Sequence, residues 1–132
     1  MTTAITPNDS ERIVIDSSGW LEYLTDDVNA GLFAPYIEGE FVIMVPTVVI
    51  YEVYKKLLTE SGQTTADSFA SEAARRTVLP LDGVVAIGAA LTSSDHHLAM
   101  ADAIVYASAV AQNAPLITGD THFRGLPRVV IP

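Results

Sequence analysis

Phe41-Val42-Ile43-Met44-Val45-Pro46-Thr47-Val48-Val49-Ile50-Tyr51-Glu52 is the stretch that decides the fold. Its opening residues, Phe41 to Val45, form an unbroken apolar run of strand length. A strand that is apolar at every position, and not at alternate ones, is buried on both faces. Pro46-Thr47 then opens a helix running to about Ser61, with Thr47 the expected N-cap. A doubly covered strand that passes directly into a helix is the unit of a parallel sheet with helices packed above and below it.

The same unit recurs on either side. Toward the N-terminus, Arg12-Ile13-Val14-Ile15 is a β-branched run that stops at Asp16-Ser17-Ser18, with a helical stretch from Gly19 to Leu24 behind it. Between these two units Val28, Leu32, Phe33, Tyr36 and Ile37 recur at helical spacing. Toward the C-terminus Gly62 interrupts the pattern, Thr65 to Arg76 reads as a helix, and Thr77 to Leu81 as a third strand. Asp82 is placed to cap a helix through Val84, Val85, Ile87 and Leu91. Ser93 to His97 reads as a polar turn before an alanine-rich helix from Ala99 to Ala111. Ala114 to Thr118 is a fourth strand that ends at Gly119-Asp120, and Arg128 to Ile131 a fifth. Right-handed crossovers in such a chain bring the C-terminal ends of the strands to one edge. Ligands of open α/β sheets bind along that edge, where the strand order reverses.

Composition narrows the class. The chain has 132 residues, 49% hydrophobic and 17% charged, enough to bury a core without disulfides or a structural metal. The reading is a polar, flexible arm over residues 1–10 and a single domain over residues 11–132. The absence of cysteine excludes disulfides, thiolate zinc sites and a cysteine nucleophile. Neither a secretory signal nor an apolar run of membrane-spanning length is visible, so the expectation is a cytoplasmic protein with no membrane partner. The net charge of −9, from 16 acids against 7 Lys plus Arg, argues against a nucleic-acid partner on bulk charge alone. That objection weakens if several acids share one cation site, because divalent ions reverse the local field.

The acids are placed for such a site. Asp16 follows the first strand, and Asp120 lies just past the fourth. Glu52 is in the second turn of the helix after the second strand, and Asp102 in the first turn of the alanine-rich helix. If the first and fourth strands are neighbours, all of these meet at the C-terminal edge of the sheet. Taken singly each has an ordinary explanation. Asp16 and Asp120 suit turns, Asp102 suits a helix N-terminus, and Glu52 has the spacing of an ion pair with Lys55 or Lys56. Taken together they would repel: two carboxylates about 5 Å apart at an effective dielectric of about 20 oppose one another by roughly 3 kcal/mol. A cluster of them stays ionised only with cations, and magnesium, a hard ion that prefers carboxylate oxygen, fits.

At this point the chain resembles the PIN-domain family, and in particular the short VapC-type toxins of bacterial and archaeal toxin–antitoxin pairs. The matching segments are Ile13-Val14-Ile15-Asp16-Ser17-Ser18, Pro46-Thr47-Val48-Val49-Ile50-Tyr51-Glu52, Met100-Ala101-Asp102-Ala103-Ile104-Val105-Tyr106-Ala107 and Leu116-Ile117-Thr118-Gly119-Asp120-Thr121-His122-Phe123. The resemblance implies a three-layer α/β/α sandwich around a mostly parallel sheet of four to five strands. It makes Asp16, Glu52, Asp102 and Asp120 the metal-binding, catalytic acids, with Thr118 orienting a carboxylate or water. It implies Mg²⁺ or Mn²⁺ as cofactor and endonucleolytic cleavage of RNA (tRNA, rRNA or mRNA) by water activated at the metal. It also implies, for the toxin of a type II system, a cognate VapB-type antitoxin whose C-terminal segment blocks the pocket, often with an arginine, and a homodimer. The alternative is a PIN fold kept as a catalytically silent binding or regulatory module. The chain departs from many relatives after Asp120, where Thr121 and His122 stand in place of a further acid or amide.

Other residues read more plainly. His96 and His97 are taken as solvated turn residues, and His122 as a neighbour of Asp120. Lys55 and Lys56 suit either phosphate contact or pairing with acids, Arg75 and Arg76 close a helix, and Arg124 and Arg128 are candidates to flank the pocket. Trp20, Tyr23 and Leu24 suit the core or an oligomer face. A haloacid-dehalogenase-like phosphatase would need an acid at Ser18, and a receiver domain would need paired acids after the first strand and a lysine after the last. A flavodoxin-like binder would need a phosphate-cradling loop where Asp16-Ser17-Ser18-Gly19 stands.

Overall fold

The computed structural model describes residues 11–132; the arm read over residues 1–10 lies outside them. In chain order the elements are β1 (Arg12–Ile15), α1 (Ser17–Leu24), α2 (Ala30–Glu38), β2 (Val42–Pro46), α3 (Thr47–Glu60), α4 (Gln63–Ala74), β3 (Thr77–Leu79), α5 (Gly83–His96), α6 (Met100–Ala111), β4 (Leu116–Ile117) and β5 (Val129–Val130). A short 3-10 turn, Thr121–Phe123, lies between β4 and β5.

Among the described residues the strands form one sheet in the order β3-β2-β1-β4-β5, every pair parallel. The chain builds outward from β1 to β3, then crosses back to β4, so the order reverses between β1 and β4. Right-handed connections place α1 to α4 on one face and α5 and α6 on the other. This is the expected α/β/α sandwich. Past their exposed first residues, Arg12 and Val42, the inner strands β1 and β2 are apolar and buried at Ile13, Val14 and Ile15 and at Ile43, Met44 and Val45, as is β4 at Leu116 and Ile117. Trp20 belongs to this core, its ring meeting Phe69 edge-on at 5.5 Å, and Tyr23 and Leu24 pack partly buried against it.

The register positions the site. Ile15 pairs with Ile117, and the Asp16 amide donates to the Ile117 carbonyl at 3.1 Å. Asp16 and Thr118 therefore leave the sheet side by side.

Several element ends differ from the sequence reading. Helix α1 begins at Ser17, not Gly19, because Asp16 is its N-cap and accepts from the Gly19 amide at 3.1 Å. Thr47 is the first residue inside α3 and not its cap. Pro46, at φ −60° and ψ 143°, already has the extended conformation a cap residue needs, and it has no side-chain donor or acceptor to add. Helix α4 starts at Gln63, after Gly62 at φ +94°, a conformation glycine adopts without strain. Helix α5 continues through Ser93–His96, which polarity alone made a turn, and ends at His97 in the left-handed region. Asp82 does cap it, accepting from the Val85 amide at 2.9 Å. Strand β3 stops at Leu79 because Pro80 offers no amide to the ladder.

Candidate metal centre

Asp16 is the most enclosed of the acids, at 5% exposure. Its Oδ1 accepts from Ser18 Oγ at 2.7 Å and from the Gly19 amide at 3.1 Å, and its Oδ2 accepts from Thr118 Oγ1 at 2.7 Å. Burial raises its carboxyl above the ordinary value, bonds from Ser18, Thr118 and Gly19 pull it back, and the charge of Asp120 pushes it up again. The net direction is upward.

Thr118 is fully buried and works in both directions. Its hydroxyl donates to Asp16 and accepts from the Asp120 amide at 2.9 Å. Beside it, Ser18 Oγ accepts from the Gly119 amide at 3.1 Å, a second bond between the start of α1 and the end of β4.

Glu52 reaches the edge from the second turn of α3 and accepts from Ser17 Oγ at 2.6 Å. It is not held by the neighbouring lysines: Lys56 pairs with Glu60 at 2.9 Å, and Lys55 lies over the Tyr51 ring, 5.6 Å from its centroid. Asp102 projects from the first turn of α6, where the exposed amides of a helix N-terminus favour an anion. Its carboxyl is nevertheless raised, first by burial, then by the charges of Asp120, Glu52 and Asp16, with His122 acting the other way. The four carboxylates thus share one electrostatic neighbourhood.

Asp120 caps the 3-10 turn, its Oδ1 accepting from the His122 amide at 2.8 Å. The His122 Nδ1 is 3.1 Å from the same oxygen. Among the described residues, the donor atoms of Asp102, Asp120 and His122 all lie within 4.8 Å of one another. This tight group differs from the four-acid set: His122 joins it, while Asp16 and Glu52 are not among its members. Hard carboxylate oxygens with one imidazole nitrogen are a donor set that divalent cations accept, so the residues fit a metal of the kind the resemblance implies.

Remaining residues fall as follows. His96 and His97 are exposed and, with Leu98, Ala99, Asp102 and His122, line a cleft of about 300 Å³. Arg75 and Arg76 both bond Glu72 at 2.8 Å. Arg128 precedes β5 at the opposite edge of the sheet, bonding the Asn113 carbonyl at 2.5 Å, so it does not flank the acids. Sequence reasoning gave no role to the hydroxyls of Ser17 and Ser18. The available signal was a pair of hydroxyl residues directly behind an acid at a strand end.

Comparison with known proteins follows the same lines. Residues 13–129 match the model of the PIN domain family. No curated protein is significantly similar in sequence. The fold is similar to a toxin–antitoxin complex from Klebsiella pneumoniae, with a TM-score of 0.78 at 17% identity over 91% of this chain and 97% of that one. It is also similar to Mycobacterium tuberculosis VapC20, described as a sarcin–ricin loop cleaving toxin, with a TM-score of 0.77 at 18% identity over 90% and 98%. FitAcB from Neisseria gonorrhoeae aligns with a TM-score of 0.66 at 20% identity over 91% and 97%. At such identities the likeness is one of fold. No helix of the described residues is long and apolar enough to cross a membrane. With its sheet order, its acids at one edge and a family match running through nearly all the described residues, the chain belongs to the PIN domain family.

Proposed function

We propose that the chain is a metal-dependent endoribonuclease, the toxin of a type II toxin–antitoxin pair, with Asp16, Glu52, Asp102 and Asp120 as its metal-binding and catalytic acids and Thr118 as their positioning hydroxyl. The observation that carries this reading is geometric: α6 and the turn after β4 bring donor atoms of Asp102, Asp120 and His122 within 4.8 Å of one another, and Thr118 ties Asp16 to the Asp120 amide. The Asp102 carboxyl is raised first by burial and then by the charges of Asp120, Glu52 and Asp16. A structural role would not require four acids from separate elements to face one another, since each repulsion costs stability. A bound Mg²⁺ or Mn²⁺ neutralises such a cluster, lowers the pKa of water and stabilises charge on a phosphodiester.

The chain's own residues supply position. Asp16 is clamped by Ser18, Gly19 and Thr118, so its carboxylate is held in one orientation before any ligand arrives. Ser17 does the same for Glu52. The Thr118 hydroxyl couples the placement of Asp16 to that of Asp120. The substrate on this reading is tRNA, rRNA or mRNA in the cytoplasm.

An antitoxin partner is supported by the structural relatives solved as toxin–antitoxin or VapBC complexes. A protein partner, whether antitoxin or a second copy, is further supported by the apolar strip Val84, Ile87 and Leu91, which α5 presents to solvent at 76%, 67% and 63% exposure.

The test is incubation of the purified protein with total RNA in Mg²⁺, in Mn²⁺ and in EDTA, with Asp16→Asn alongside. Cleavage that requires the metal and is lost in the variant is the expected result. Metal binding without cleavage would favour a silent binding module.

A further inference from the structure

We propose that His122 is a ligand of this metal centre, its imidazole nitrogen joining one carboxylate oxygen each from Asp102 and Asp120 in a mixed donor set that favours Mn²⁺ over Mg²⁺. This rests on the metal-dependent reading above and names which ion the site prefers.

Three features place the imidazole there. The donor atoms of Asp102, Asp120 and His122 fall within 4.8 Å of one another, although α6 delivers one and the 3-10 turn the other two. The turn itself is fixed: Phe123 is fully buried, the His122 amide is bound to Asp120 Oδ1, and the Asp120 amide to Thr118. His122 is thus the exposed side of a plugged turn, and its ring faces the cleft that it shares with Asp102.

The simpler account is an exposed pairing of His122 with Asp120, 3.1 Å apart. Pairings of that sort contribute about 0–1 kcal/mol and call for no further acid. They leave Asp102 unexplained, a carboxylate from a different element drawn into the same sphere against repulsion. A divalent ion explains all three positions at once.

The nitrogen bears on the choice of ion. Mg²⁺ takes oxygen ligands almost exclusively, whereas Mn²⁺ shares that preference for carboxylates but, as a first-row transition ion, also accepts a nitrogen ligand. A single nitrogen and no thiolate fall short of a structural zinc set. Mn²⁺, which accepts carboxylates readily and tolerates one imidazole, matches the donors present.

Mn²⁺ added to the full chain and examined by pulsed electron paramagnetic resonance tests this directly. Wild type should show the nitrogen hyperfine coupling of a bound imidazole. The coupling should vanish in His122→Ala and His122→Asp and persist in His96→Ala and His97→Ala, with circular dichroism reporting that each variant is folded. By titration calorimetry, Mn²⁺ affinity should fall about 10- to 100-fold in His122→Ala, the loss typical even for partners outside the direct ligand shell. Mg²⁺ affinity should change less, and His122→Asp should restore cation binding with the preference turned toward Mg²⁺. Bound Mn²⁺ without nitrogen coupling in wild type, or unchanged Mn²⁺ affinity in His122→Ala, overturns the assignment. Nitrogen coupling in a protein that cuts no RNA upholds the ligand and overturns the nuclease. Metal-dependent cleavage with an oxygen-only spectrum does the reverse.

Discussion

Thr118 Oγ1 donates to Asp16 Oδ2 at 2.7 Å, joining residues 102 positions apart in the chain. The same oxygen accepts from the Asp120 amide, so one hydroxyl registers the first and last acids of the site against each other. Thr118→Val keeps the shape and removes the hydroxyl, leaving a buried carboxylate oxygen and an amide without partners. The expected cost is about 1–3 kcal/mol in urea denaturation and about 10- to 100-fold in metal affinity by calorimetry. Thr118→Ser should restore both. Unchanged metal affinity in the valine variant would remove Thr118 from the site.

Asp102 gives a prediction with a definite sign. Burial, then the charges of Asp120, Glu52 and Asp16, raise its carboxyl above the ordinary 3.8, so the folded protein holds this proton more tightly than the unfolded chain. Its contribution to stability is therefore greatest at and below the unfolded pKa and is lost as pH rises through the folded one. In EDTA, wild type should lose melting temperature relative to Asp102→Asn as pH is raised from about 4 toward neutrality. At neutral pH the asparagine variant should be the more stable of the two. Excess Mg²⁺ or Mn²⁺ should reverse that order, while RNA cleavage by the variant is absent at every pH. A variant less stable than wild type in EDTA at neutral pH would show that Asp102 is not under like-charge stress.

Ser17 is the prediction least visible from sequence. Its hydroxyl holds Glu52 Oε1 at 2.6 Å from the first position of α1. Ser17→Ala should lower the cleavage rate by about tenfold, the lower end of what such supporting bonds contribute at metal sites. Stability should shift by no more than about 0.5–1.5 kcal/mol, because Glu52 remains open to water. Full activity would mean that Glu52 needs no holding.

Gly19 tests how closely α1 sits on the sheet. A Cβ built there would lie 2.7 Å from Ile15 Cγ2 and 3.0 Å from the Phe33 ring, so Gly19→Ala must shift the start of α1, next to its cap Asp16, away from Ile15 of β1 and Phe33 of α2. Overpacking of this kind costs about 1–3 kcal/mol, and cleavage should fall with stability. Gly31→Ala, at a helical position with nothing within 4 Å, is the matched control. It should be neutral or stabilising by up to about 1 kcal/mol on helix propensity. Equal melting temperatures for Gly19→Ala and wild type would contradict the close approach.

Much of this was legible in the sequence where burial and chain order decide the outcome. The apolar runs at Ile13–Ile15 and Ile43–Val45 are strands because no position in them meets solvent. The positions of Asp16 and Asp120 could be read because each follows a strand end, that of Glu52 because it lies in the second turn of the helix after β2, and that of Asp102 because it stands in the first turn of α6; their role as metal ligands is the proposal made above. Helix ends were not, because backbone angles set them. Pro46 took the cap that Thr47 suited by type, and Ser93–His96 are the solvent-facing close of α5. Pairings such as Ser17 with Glu52, or His122 with Asp102, depend on which turns of separate helices and loops abut, and no local pattern encodes that.

The position of β4 between β1 and β5 has a consequence for synthesis on the ribosome. A nascent chain that has emerged only through α6 already carries Asp16, Glu52 and Asp102, yet it lacks both the hydroxyl that orients Asp16 and the last carboxylate. The acidic cluster is completed only when β4 inserts beside β1, so a chain halted before Leu116 holds three of the acids without Asp120 or the Thr118 hydroxyl. If that cluster is the proposed RNA-cutting centre, its assembly would wait on the synthesis and insertion of β4.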